Sequence, residues 1–313
     1  MTSSPTTPAP ALGTALAVTS VASVQFGAAL AAHLFSRVGP VGTVSLRLVG
    51  AAVVLCLLAR PWRRHWSGGD ARSAMLFGGV FTCMNVTLYL ALDRLPLATV
   101  ITLEFLGPLT VAIVTAGSWA TRVWAVPAAA GVLLIGGELS GGDTAGVAFA
   151  LAAACCWAAY VLLSGRMGRS GSGLAGLATG CVFGALIMLP VGLLSAGVGD
   201  LTRPSTAAIG LAVGVLSSAI PYSLDLLALR RLATAVFGVL TSLNPGVGAI
   251  AGYLVLGQSL PAATLIGVGL VMVASVGVTV APLLRARNRI IAPVPSHGEL
   301  IVDVGTVGNV GSG

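Results

Sequence analysis

The sequence predicts an all-α integral membrane protein of ten transmembrane helices in two inverted five-helix repeats. Three observations carry this reading. Of 313 residues, 56% are hydrophobic and 8% charged, and the mean hydropathy is +1.00; a soluble fold of this size carries far more charge. Ten apolar windows approach the roughly 20 residues that span a bilayer. Finally, Arg94-Leu95-Pro96-Leu97-Ala98, running to Gly107-Pro108, returns as Arg231-Leu232-Ala233-Thr234-Ala235, running to Asn244-Pro245.

The windows are 12–34, 41–59, 74–92, 97–117, 123–139, 144–164, 173–196, 206–228, 234–256 and 261–284. The fifth is short and starts beside a tight loop. The repeat offset is 231 − 94 = 137 residues, and it also carries Ala91-Leu92 onto Ala228-Leu229. Five apolar segments separate equivalent positions. An odd number of crossings turns the second copy over, so 12–139 and 144–284 form an inverted pair. Such pairs mark secondary transporters, whose substrate site lies between the copies near the midplane.

All sixteen basic residues are arginine. With the N-terminus inside, twelve fall in cytoplasmic loops and the tail: Arg60, Arg63, Arg64, Arg72, Arg122, Arg166, Arg169, Arg230, Arg231, Arg285, Arg287 and Arg289. Only Arg37, Arg94 and Arg203 fall outside. That asymmetry places both termini of a multi-pass membrane protein in the cytoplasm. The high pI is therefore a topology signal in contact with the lipid bilayer, and no nucleic acid is implied. Residues 1–11 carry no basic side chain, so the first apolar run reads as a retained helix and not a cleaved signal. Tails 1–11 and 285–313 read as disordered. Cys56, Cys83, Cys155, Cys156 and Cys181 lack metal-ligand spacing and read as small packing residues.

Three ionisable residues fall inside helices: Arg47, Glu104 and Asp225. A charge at a helix centre costs about 2.5–3.5 kcal/mol on insertion scales, which makes each a functional candidate. Arg47 and Glu104 sit at similar depth, roughly 10 Å from the outer end of their helices. They read either as a zwitterion site, with a carboxylate on Arg47 and an ammonium on Glu104, or as an ion pair locking two helices. Asp225 lies near the cytoplasmic end, and reads as an interfacial carboxylate partnered by Arg230 or Arg231, or as a gate or proton acceptor.

Pro108 has no N–H to give the carbonyl of Glu104, and Pro245 has none for Thr241. Paired helix breaks at Pro108 and Pro245 point to a binding site and hinge. Gln25, Asn85, Tyr89, Trp157, Tyr160, Tyr222 and Asn244 place polar or aromatic groups at mid-helix, where they need partners. Gly176/Gly180/Gly184, Gly210/Gly214 and Gly248/Gly252 give small-residue spacing for close helix contact. No Walker loop, dinucleotide fingerprint or nucleophile elbow is present. The chain therefore reads as a non-enzyme without a cofactor, driven by an ion gradient.

These residues resemble the drug/metabolite transporter superfamily, EamA type, and within it bacterial inner-membrane threonine and homoserine exporters. The resemblance rests on Ala22-Ser23-Val24-Gln25, Leu46-Arg47-Leu48, Met84-Asn85, Leu103-Glu104-Phe105 with Gly107-Pro108, and Pro221-Tyr222-Ser223-Leu224-Asp225. It implies ten helices in two inverted repeats and export of a small-molecule substrate. Two positions depart: Gln258 stands where the family often has Glu, and Asn244 where the similar exporters have an acid. The expectation is a proton-coupled exporter of amino acids such as threonine or homoserine, working by alternating access. Glu104 and Asp225 would carry protons; Arg47, Glu104, Asn85, Gln25, Trp157, Tyr160, Tyr222 and Asn244 would line the site. Export of another solute (a drug, a purine) and a non-transporting membrane scaffold are the alternatives.

Overall fold

The computed structural model describes residues 9–116, 118–138, 143–169 and 173–291. Among the described residues there is no strand, and ten helices are long and apolar enough to cross a membrane. They are α1 (Ala9–Ala32), α2 (Phe35–Ala59), α3 (Gly68–Leu92), α4 (Leu97–Thr115), α5 (Ala125–Glu138), α6 (Thr144–Arg169), α7 (Gly173–Ala196), α8 (Pro204–Leu229), α9 (Thr234–Leu256) and α10 (Ala262–Ile291). α1 starts within the N-terminal tail read as disordered, and α10 runs seven residues past its expected end (291 − 284 = 7). The remaining tails, 1–8 and 292–313, lie outside the described residues.

Local chemistry sets the helix ends. Ser67 Oγ accepts the Asp70 N–H at 3.1 Å, and the Asp70 carboxylate sits in the first turn of α3, where the helix dipole favours it. Asp143 Oδ1 takes the N–H groups of Ala145 and Gly146 at the start of α6. Its other oxygen meets Arg94 Nη1 at 2.7 Å, tying the α3–α4 turn to α6. α2 bends near its start at Gly39, whose φ of +67° only glycine adopts freely, ahead of Pro40.

Lipid-facing surfaces are apolar: Leu133 and Leu194 are 75% and 89% exposed. Polar groups are turned inward instead, with Arg47, Glu104, Asn85 and Gln25 all buried. That inversion of the soluble pattern is what hydrocarbon solvent demands.

The principal helix contacts follow one rule. α2 packs on α7, α4 on α9 and α5 on α10; α3–α6 has its counterpart in α8–α1, α3–α7 in α8–α2, and α4–α6 in α9–α1. Replacing each helix by the fifth one along thus maps the set onto itself. Close approaches obey the same rule. A Cβ on Gly131 would lie 2.6 Å from the Gly267 carbonyl oxygen, and one on Gly267 would lie 2.7 Å from that of Gly131. Gly146 abuts Leu95 as Gly13 abuts Leu232, and the two leucines are offset by 232 − 95 = 137.

Besides the Gly39 bend in α2, two irregularities lie mid-helix in the second copy. α8 carries a π-helical turn at Val215–Ala219 between helical Pro204–Gly214 and Ile220–Leu229. α9 is interrupted at Ser242 and Leu243, between Thr234–Thr241 and Asn244–Leu256. The paired break expected at Pro108 and Pro245 is therefore half present, because α4 runs helical through Pro108. Gly107 packs directly on the Ala154 backbone of α6, which holds the two helices together beside that proline.

Candidate functional site

Proline chemistry builds the centre. Pro221 has no N–H to offer the carbonyl of Ser217, four residues back, and this carbonyl sits in the π-turn of α8. Arg47 Nη2 donates to it at 3.1 Å, from α2. Nη1 donates to Tyr89 Oη of α3 at 3.0 Å, and the guanidinium lies 5.4 Å from the Tyr89 ring centroid. Nε is buried without a partner. Arg47 is 4% exposed, yet among the described residues no carboxylate forms an ion pair with it.

Glu104 on α4 is 5% exposed and, among the described residues, has neither a hydrogen bond nor an ion pair. Arg47 acts on it through space without contact. The ion-pair alternative open in the sequence is thus not what forms: a basic and an acidic side chain are buried in one bundle and left unjoined. Phe105, the next residue, meets Trp157 of α6 edge-on with centroids 5.5 Å apart.

The second proline works in the same way. The Thr241 carbonyl, deprived of a donor by Pro245, accepts from Asn244 Nδ2 at 2.8 Å. Asn244 Oδ1 in turn accepts from Gln25 Nε2 of α1 at 2.8 Å, and Gln25 Oε1 is left buried and unpartnered. An amide at position 244 can donate and accept at once, which an ionised carboxylate there cannot do.

Asn85 Nδ2 donates to the Phe81 carbonyl at 2.7 Å while its Oδ1 has no partner. Tyr160 of α6 and Tyr222 of α8 face each other at 6.3 Å between centroids, framed by Phe77 and Phe81. The Arg47 charge reaches Tyr222 through space, and that of Asp225 reaches Tyr160. Asp225 is half-buried and does not pair with Arg230 or Arg231; Arg231 Nη1 donates instead to the Leu227 carbonyl at 2.8 Å. Ser20 of α1 lies against Asp225 and donates to the Pro221 carbonyl at 3.2 Å.

The structure therefore gathers Arg47, Tyr89, Tyr222 and Glu104 around one interior region, with Gln25 and Asn244 bridging α1 to the α9 interruption. Sequence reasoning missed Ser217, Ser20 and Ser23, which is bonded to the Leu216 carbonyl at 2.6 Å. The signal was Pro221, read by the rule already applied to Pro108 and Pro245. Gln258 proves structural: its Oε1 accepts the Leu97 N–H at 3.0 Å, closing the first turn of α4.

The EamA-like transporter family matches residues 144–280. The threonine/homoserine exporter RhtA of Escherichia coli strain K12 is 38% identical over 83% of this chain and 88% of its own length. RhtA of Salmonella typhimurium strain LT2 is 37% identical over the same shares. One crystal structure, 20% identical, aligns over 88% of this chain and 98% of its own with a TM-score of 0.61, a likeness of fold. On the strength of the relatives' identity and coverage, the chain belongs to the EamA-like transporter family.

Proposed function

We propose that this multi-pass membrane protein is a secondary exporter of small zwitterionic metabolites across the inner membrane, threonine and homoserine foremost. The observation that carries the reading is the unjoined pair: Arg47 and Glu104 are 4% and 5% exposed, and neither has an ionic partner. Burying an ionisable group without a partner is costly. A zwitterion between them compensates both, its carboxylate on the Arg47 fork and its ammonium on Glu104. The relatives named threonine/homoserine exporters support the choice of solute.

In this reading Asn85, Gln25, Trp157, Tyr160, Tyr222 and Asn244 line the path. Glu104 exchanges a proton for the substrate ammonium, and Asp225 receives protons nearer the membrane surface. The two halves, 12–139 and 144–284, act as an inverted repeat with cytoplasmic termini, a proposal supported by the self-mapping helix contacts and the arginine asymmetry. Rocking is centred on the α9 interruption at Pro245, with Pro108 as its weaker counterpart.

The test is efflux of radiolabelled threonine from preloaded cells that lack their own exporters. Faster efflux with this protein, lost in Glu104→Gln at equal membrane abundance, is the expected outcome. Uphill efflux that survives in Glu104→Gln removes the proton role. No efflux of threonine or homoserine from the unaltered protein removes the assigned solutes.

A further inference from the structure

A groove of about 910 Å³ lies between α3, α6 and α7, lined by none of the residues of the site described above. One wall is a stripe of α3, Arg72, Met75, Gly79 and Cys83, whose spacings of three, seven and eleven residues put them on one helix face. Cys155 of α6 and Phe183 of α7 close the opposite side. From Arg72 to Cys83 is 83 − 72 = 11 residues, or about 16 Å of helix. One leaflet of hydrocarbon is about 15 Å deep, half of the bilayer core.

The Arg72 end is at headgroup level. It lies in the first turns of α3 after the Ser67 cap, and the segment leading into that cap carries Trp62, which is 64% exposed, and Trp66, over which Arg64 sits at 5.5 Å. Aromatic residues of this kind mark the membrane interface. Asp70 is engaged by Arg64 at 3.7 Å, and among the described residues no carboxylate pairs with Arg72. Below Arg72 the groove offers no other charged side chain. Its floor is open at Gly79, where an added Cβ would meet only Phe183, at 3.9 Å.

We propose that this groove binds one acyl chain of an anionic phospholipid, with the phosphate headgroup held by Arg72. A cation at one end and a chain-length apolar trough beneath it are the two features such a lipid needs. Choline lipids fill the trough equally well but gain nothing net from the cation.

The test is native mass spectrometry of the purified full-length protein, titrated with dioleoylphosphatidylglycerol or dioleoylphosphatidylcholine. The first glycerol-lipid adduct forms at about fivefold lower lipid than the choline one, the worth of one basic residue near an anionic surface. Arg72→Ala abolishes that preference while Arg63→Ala keeps it. Gly79→Trp and Cys83→Trp, which fill the trough, weaken both lipids severalfold in protein whose helix content is unchanged. Equal binding of the two lipids by the unaltered protein overturns the proposal, as does a preference that survives Arg72→Ala. Equal loss in Arg63→Ala overturns the headgroup assignment, and undiminished binding in both tryptophan variants overturns the chain position.

Discussion

Arg47 donates to the Ser217 carbonyl across the α2–α8 contact at 3.1 Å, and it can do so because Pro221 leaves that carbonyl without a helical donor. A cation in one half of the protein is thus seated on a backbone defect in the other. The seat is neutral, so the charge is positioned without being cancelled. It remains available to an incoming carboxylate, which an Arg–Glu ion pair would not allow.

Pro221→Ala returns an N–H to that position. The π-turn then has a competing α-helical register, and the Arg47 seat is lost. Threonine efflux is expected to fall about tenfold, equivalent to roughly 1.4 kcal/mol of misplaced guanidinium, at unchanged membrane abundance. Unaltered efflux would show that the π-turn is incidental to transport.

Arg47→Lys keeps the charge but loses the planar fork that reaches Tyr89, Ser217 and a carboxylate together. Efflux is expected to drop at least about tenfold, more than a conservative change at a structural site would give. Arg47→Ala leaves the Tyr89 hydroxyl and Ser217 carbonyl unsatisfied, a destabilisation of about 1–3 kcal/mol. Thermal unfolding in detergent separates that loss from the transport defect.

Asn244→Ala strips the donor from the Thr241 carbonyl and the acceptor from Gln25. The expected cost is about 1–3 kcal/mol in thermal unfolding. Asn244→Asp keeps the size of the side chain, yet cannot donate when ionised, so it should destabilise α9 by a comparable amount. A stability equal to that of the unaltered protein would mean that water caps the break instead.

At the α3–α4 turn, the hydrogen bond from Arg94 and two backbone N–H groups hold the Asp143 carboxyl below its ordinary range. A depressed native pKa stabilises above the unfolded value, near 3.9 for Asp, and that contribution is lost as pH falls through the native one. Asp143→Asn should therefore lower thermal stability at pH 7 and make little difference at pH 3. A gap between the two proteins that persists unchanged at pH 3 would refute the assignment.

Much of this architecture was legible because hydrocarbon imposes simple rules. Ten windows became ten helices, and the 137-residue offset reappears in Leu95 and Leu232, which each meet a glycine of the other half, Gly146 and Gly13. Arg47 and Glu104 were identifiable as costly residues in lipid. Their failure to pair was not, since equal depth along two helices says nothing of the lateral distance between them. The carbonyl bookkeeping that singled out Pro245 applied equally to Pro221, and there the signal went unread. At Pro108 the same arithmetic overstated the outcome, because packing of Gly107 on the Ala154 backbone keeps α4 helical.

The cap that Gln258 places on Leu97 has a temporal side. During synthesis, α4 enters the membrane 258 − 97 = 161 residues before its first turn can be closed. Until the α9–α10 loop is made, that N–H must be served by water or lipid headgroups at the membrane surface. The first five helices are thus inserted before they are finished, and a chain stopped after α5 would carry an open helix end that only its other half can seal.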